Sequence, residues 1–268
     1  MRGGSLRAAA FEVRDAVQAI QGELSVPAAG TVVVSGMLAE QLARELGAGA
    51  EAGAVVVGDR ARLDRAALVV HVIAGEPTPD DDRLVRAADI AQAPVVLVQL
   101  WPKADWTQPF VLSPFVVECQ AGKGFPVGEI ASRIAAASEV RQDLAARIPA
   151  LRDAVADRVL KEATVRAGLL GLAGGLFGAT RPLLVLEQVR MLSRLASLRP
   201  GSPAADGAPV VAGIAGTALG AGLGLRGVAR SARCVLPAPV ANAVVAAAAT
   251  WVLGTAARRL AEIHAASG

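Results

Sequence analysis

The stretch AALVVHVIAGEPTPDDDRLVRAADIAQAPVVLVQLWPKADW, residues 66–106, decides the fold. It opens on a β-branched run at 66–75, turns through Gly75 and Pro77, and enters a helical pattern. A second near-continuous apolar run follows at 93–100. Strands without polar alternation need burial on both faces, which crossover helices give to a parallel sheet. The intervening helix is clearly punctuated. Thr78 is placed to be its N-cap and Pro79 fits the first turn, while Asp80, Asp81 and Asp82 suit the positive end of the helix dipole. Capping accounts for these three acids; a metal cluster is the competing reading.

Outward from this stretch the pattern repeats. GTVVVSG (30–36), GAVVVGD (53–59) and PFVVEC (114–119) read as further strands. Helical segments are expected at 37–47, 79–92 and 127–140, and Val13, Val17, Ile20 and Leu24 mark an amphipathic helix over 7–24. Strand alternating with helix predicts a parallel α/β fold with helices on both faces, in a first domain over 1–138. From 139 to 268 the pattern is helical. Val140, Leu144, Ile148, Leu151, Val155 and Val159 share one face, interrupted near Pro149. The stretches 167–180, 207–225 and 234–257 carry no charge, so the second domain is expected to be a Gly/Ala-rich helical bundle.

Composition excludes several functions. Of 268 residues 53% are hydrophobic, and the net charge of +3 comes from scattered arginines without a stripe interleaved by aromatics. Nucleic-acid binding is not expected from such a surface. Cys119 and Cys234 lack a CxxC partner and nearby histidines, so neither a metal site nor a disulfide framework is expected. The N-terminal MRGGSLRAAAFEVRDAV lacks an apolar core of signal-peptide length, which points to a cytoplasmic first domain. His71, inside LVVHVIAG, reads as a hydrogen-bonded core histidine. No nucleophile–His–acid order and no HExxH spacing appears, and no catalytic or metal-ligating residue is assigned.

Over residues 30 to 138 the chain resembles the bacterial Ras-like, Era-type GTPase domain. The resemblance is carried by 66–106 and by VVECQAGKGFPVGEIASRI (116–134), which is similar to the family's last strand, base-contacting loop and closing helix. It implies that Asp105 accepts hydrogen bonds from guanine N1 and N2 and that the stem of Lys103 covers the base. Pro102 stands where the family carries Asn or Thr. The phosphate machinery is missing. A P-loop needs GxxxxGK[ST] for its amide cradle, its charge and its Mg²⁺ hydroxyl. Here SGMLAEQL follows the first strand, and no Lys occurs between Thr31 and Asp59. Asp59 could stand at the metal-side position, but Arg62 occupies the place of the DxxG glycine. In CQAGKGF (119–125) Gly124 follows Lys123 instead of Ser or Thr, so a turn into the next helix is expected.

The second domain poses a membrane question. Residues 234–257 are long enough to span hydrocarbon, yet Pro237, Pro239 and Asn242 interrupt their first third. Small residues form i, i+4 ridges: Ala208–Ala212–Gly216–Gly220–Gly224, Gly171–Gly175–Ala179 and Asn242–Ala246–Thr250–Gly254. Such ridges let helices approach closely, in a soluble bundle or in lipid. The region 160–262 resembles the uncharacterised YcjF-like helical domain, which often follows an Era-type GTPase in bacteria and is commonly described as membrane-associated.

The combined expectation is a pseudoGTPase without a bound cofactor, acting as a membrane-associated scaffold or partner of an intact GTPase. A protein partner or self-association is implied, with membrane contact through 160–260 at the inner face of the cell membrane. The alternatives are a guanine-nucleotide-binding regulator, holding GTP or GDP weakly through Lys103 and Asp105, or a soluble homo-oligomer.

Overall fold

The computed structural model describes residues 30–58, 60–102, 115–120, 122–138, 141–177, 181–198 and 237–267. Five strands form one parallel sheet: β1 (Thr31–Gly36), β2 (Val55–Val57), β3 (Ala66–Ala74), β4 (Val95–Leu100) and β5 (Val116–Cys119), in the order β2-β1-β3-β4-β5. Seven α-helices are described: α1 (Ala39–Leu46), α2 (Pro79–Ile90), α3 (Val127–Ala137), α4 (Arg141–Arg147), α5 (Arg152–Phe177), α6 (Arg181–Ser197) and α7 (Ala238–Ser267). A 3₁₀ turn, Pro149–Leu151, separates α4 from α5, where Pro149 cannot continue the helix. The α/β reading therefore stands as a parallel sheet with helices. The expected helix over 7–24 and the ridge at 208–224 lie outside the described residues.

The strands are apolar because both faces are covered. Val32, Val33 and Val34 are all buried, as are Leu68, Val69 and Val70 and then Val96, Leu97 and Val98. Helix α2 seals one side: Leu84 and Ala88 join Val69, Leu63 and Ala93 in one apolar cluster. Helix α3 packs against β4 and β5, with Ile130 and Ile134 fully buried. Fully burying one such side chain contributes about 1.5–3 kcal/mol, so this core dominates the unit's stability.

The chain divides into two compact units, one over Pro27–Arg158 and one that includes Val159–Gly268. This division falls later than the 138/139 boundary set by composition. The reason is the anchoring of α4. Arg147 donates to the Gly30 carbonyl at 2.7 Å and pairs with Glu51 at 3.0 Å, while the Glu51 amide donates to the Arg147 carbonyl. Leu144, Ile148 and Leu151, read from the sequence as one helical face, are fully buried in this unit.

The second unit is built on close helix contacts. At Gly171 of α5 an added methyl would lie 2.6 Å from the Asn242 carbonyl and 2.9 Å from Ala246 Cβ of α7. At Gly254 of α7 it would meet Leu160 and Met191. Two small-residue ridges thus meet at Gly171, as their spacing implies, while Gly254 makes room for larger side chains. Gln188 donates to the fully buried Thr250 hydroxyl at 3.3 Å, and Glu187 accepts from Arg166 at 3.0 Å and forms an ion pair with Arg190.

Candidate functional site

In an open parallel sheet, ligands bind outside the carboxyl ends of the strands, where the strand order reverses. In the order β2-β1-β3-β4-β5 that point lies between β1 and β3. The elements converging there are the end of β1 with its turn into α1, the end of β3, and the start of α2.

The turn after β1 is short and closed. Only Met37 and Leu38 separate β1 from α1. Gly36 has φ +88°, and a methyl placed on it would sit 2.0 Å from the Val72 carbonyl oxygen. Only glycine meets both demands, of conformation and of space. The Met37 amide then donates to that carbonyl at 3.0 Å. Leu38, at the N-cap of α1, is left-handed (φ 55°) and offers no capping side chain. The Met37 amide is thus engaged by β3 and not turned to the open end of the sheet.

Beside this turn runs a polar chain that sequence reasoning missed. Ser35 on β1 pairs in register with His71 on β3, and the Ser35 hydroxyl lies 2.9 Å from His71 Nδ1. On the other side of the ring, His71 Nε2 lies 2.8 Å from Asp81 Oδ1 in the first turn of α2. Asp81 Oδ2 accepts from the Thr78 amide and from the Thr78 hydroxyl, both at 2.7 Å. The Asp81 amide donates back to the Thr78 hydroxyl oxygen, which completes a capping box. Burial pushes the Asp81 carboxyl up, but its hydrogen bonds from Thr78 and His71 outweigh that and hold it below the ordinary value of 3.8. An ionised carboxylate only accepts, so Nε2 carries the ring proton, and in the neutral ring Nδ1 accepts from Ser35.

Three residues thus stand in nucleophile–base–acid order, in space as along the chain, and the expectation that no such order is present is corrected here. Their placement argues for an anchor. Ser35 is 4% exposed and His71 3%, inside the sheet rather than on a cleft wall. Buried polar groups need partners, and this chain satisfies all three while tying the start of α2 to two strands. The available signal was positional: a Ser and a His near the ends of adjacent buried strands, with a capping Asp following. Nearby, Gln99 of β4 is buried, and its side-chain nitrogen has no hydrogen-bond partner.

The remaining expected positions separate. Thr78 caps α2 and Pro79 opens it, as read from the sequence; Asp80 pairs with Arg83 at 2.7 Å. Among the described residues no group of three or more His, Cys, Asp or Glu side chains could hold a metal ion. Lys103, Asp105 and Asp59 lie outside the described residues. Trp101 and Pro102, just before Lys103, are exposed, and Trp101 has φ 54°. The Lys123 amide donates to the Gln120 carbonyl, as a turn ahead of α3 requires. Cys119 is a free, buried thiol pushed up to about 11, mainly by burial and then by the charge of Glu129. Ionisation at neutral pH is strongly disfavoured, so it is not an activated nucleophile.

Among the described residues one helix, over Ala238–Arg259, is long and apolar enough to cross a membrane by length and composition alone. No family model matches the chain, and no curated protein or solved structure matches it.

Proposed function

We propose that this chain works by binding and not by phosphoryl transfer: a GTPase-like protein without hydrolytic activity, acting as a membrane-associated scaffold or as the partner of an intact GTPase. One observation carries the reading. At the switch point the two-residue β1–α1 turn is folded onto β3, with the Met37 amide bonded to Val72. Phosphoryl transfer depends on positioning a triphosphate among free amides, a lysine and a metal. A two-residue turn with an engaged amide offers no such cradle. The acidic residues at the start of α2 add local negative charge, which opposes phosphate binding.

The membrane part of the proposal draws on α7. Only 28% of its apolar stretch is buried, and Val244, Trp251 and Val252 are exposed. On α5, Val165, Leu169 and Leu172 are exposed at i, i+4, i+7 spacing. A helix wholly inside a soluble core would bury such residues.

Calorimetric titration of the full chain with GTP and GDP in Mg²⁺ tests the first part, and no binding is the expected result. Micromolar, Mg²⁺-dependent affinity would overturn it in favour of a nucleotide-binding regulator. Membrane fractionation with a carbonate wash tests the second part. Full recovery in the soluble fraction would remove lipid from the proposal.

A further inference from the structure

The exposed apolar side chains of the α/β unit are not scattered. Five large hydrophobic residues stand exposed among its described residues: Met37, Leu38, Val57, Ile90 and Trp101. Four of them lie at the carboxyl edge of the sheet. Val57 ends β2, Met37 and Leu38 follow β1, and Trp101 follows β4; only Ile90, at the end of α2, lies elsewhere. The strand order sets them in one row across β2, β1, β3 and β4. By register Val57 is level with Val34 and Trp101 lies just beyond the level of Ala74, so the row runs obliquely; at about 4.8 Å per strand and about 3.3 Å per residue it is roughly 20 Å long. Leu38 and Trp101 also hold left-handed backbone (φ 55° and 54°), an uncommon state for residues with a Cβ. Apolar groups held in uncommon conformations and left in water contribute little to the unit's own stability.

The charges around the row are complementary to a basic partner. Glu40 lies in the first turn of α1, Glu76 follows β3, and Asp80 and Asp82 open α2. Arg83 is paired with Asp80. We propose that this edge docks a basic amphipathic helix from a partner protein. The helix would lay its apolar face along Val57, Met37, Leu38 and Trp101, with lysine or arginine side chains meeting Glu40, Glu76 and Asp82. At 1.5 Å rise per residue, a row of this length takes about four turns of helix. Acidic surroundings steer such a segment and exclude an acidic one. The inference builds on the binding reading above, yet the two fail separately: nucleotide titration tests one and peptide titration the other.

The test uses the full chain and two fluorescein-labelled synthetic helices of about 14 residues. One carries Leu at i, i+3, i+4 and i+7 spacing with Lys elsewhere; the other replaces each Lys by Glu. Fluorescence anisotropy should show the Lys peptide binding at least about tenfold more tightly than the Glu peptide. Trp101→Ala should weaken the Lys peptide roughly thirtyfold, as for an aromatic anchor that the peptide buries. Glu40→Gln combined with Glu76→Gln, two exposed changes that leave the core intact, should weaken it about fivefold and flatten its salt dependence. Equal binding of both peptides, no binding of the Lys peptide, or binding untouched by both Trp101→Ala and the double glutamine variant would overturn the proposal.

Discussion

Gly36 and Gly171 both allow a close approach, and the difference between them separates the two halves of this molecule. Gly36 brings a turn onto the end of a buried strand and also adopts a left-handed backbone. Gly171 lies within a regular helix and supplies space alone, against the Asn242 carbonyl and Ala246. Around its apolar core, the α/β unit is therefore closed by conformation, register and a polar chain. The helical unit is held by surface fit between small residues. A closure that needs a special backbone tolerates substitution less than one that needs only room.

The largest effect is expected at Gly36. Gly36→Ala must relieve both a methyl 2.0 Å from a carbonyl oxygen and a φ of +88°, and should lower unfolding free energy by roughly 3 kcal/mol or more. Urea unfolding followed by circular dichroism measures it. A loss below about 1 kcal/mol would show that the turn relaxes easily and is not held closed against Val72.

His71→Leu comes next. It removes the ring that links Ser35 to Asp81 and leaves the buried Ser35 hydroxyl without that partner. The expected loss is about 2–3 kcal/mol by the same measurement. A near-neutral result would mean that the chain is ornamental to stability, and would reopen the question of what its Ser–His–Asp order is for.

In the helical unit the effects should be smaller. Gly171→Ala meets backbone atoms at 2.6 and 2.9 Å and should cost about 1–2 kcal/mol, after allowing for alanine's better helix propensity. Gly254→Ala meets side-chain atoms of Leu160 and Met191, which can move, so propensity should offset most of the strain. If Gly254→Ala proves the more damaging, helix packing here is tighter at side chains than at backbones, and the contrast drawn above fails.

The smallest change concerns acid. The folded Asp81 carboxyl is held below its ordinary 3.8, so it contributes stability that is present above about pH 3.8 and is lost as pH falls through its lower folded value. Asp81→Asn should therefore flatten the acid arm of a stability–pH curve below that point. Above it, the variant should be uniformly less stable than the parent chain. An unchanged acid arm would show that other carboxylates govern acid unfolding.

Much of the architecture was legible in the linear sequence because burial imposes period and punctuation. Near-continuous Val runs at 31–36, 66–74 and 95–100 can be satisfied only inside a two-sided sheet. Thr78 and Pro79 announce a helix start through local hydrogen bonding, and Pro149 announces a break. The alignment of Leu144, Ile148 and Leu151 was equally plain, since all three are buried. Which unit owned them was not. Arg147 settles that by reaching Gly30 and Glu51, and such distant contacts leave no trace in local periodicity.

The same division holds at the candidate site. Strand and helix identity, the cap of α2, the absence of the GxxxxGK[ST] pattern and the small-residue spacing are readable along the chain, because each depends on neighbours within a few positions. Folding in three dimensions was needed to join Ser35, His71 and Asp81 in one chain and to bond Met37 to Val72. It alone gathered Val57, Met37, Leu38 and Trp101 along one edge. The physical reason is register. Parallel pairing set Ser35 beside His71, and the strand order set four separate strand ends side by side.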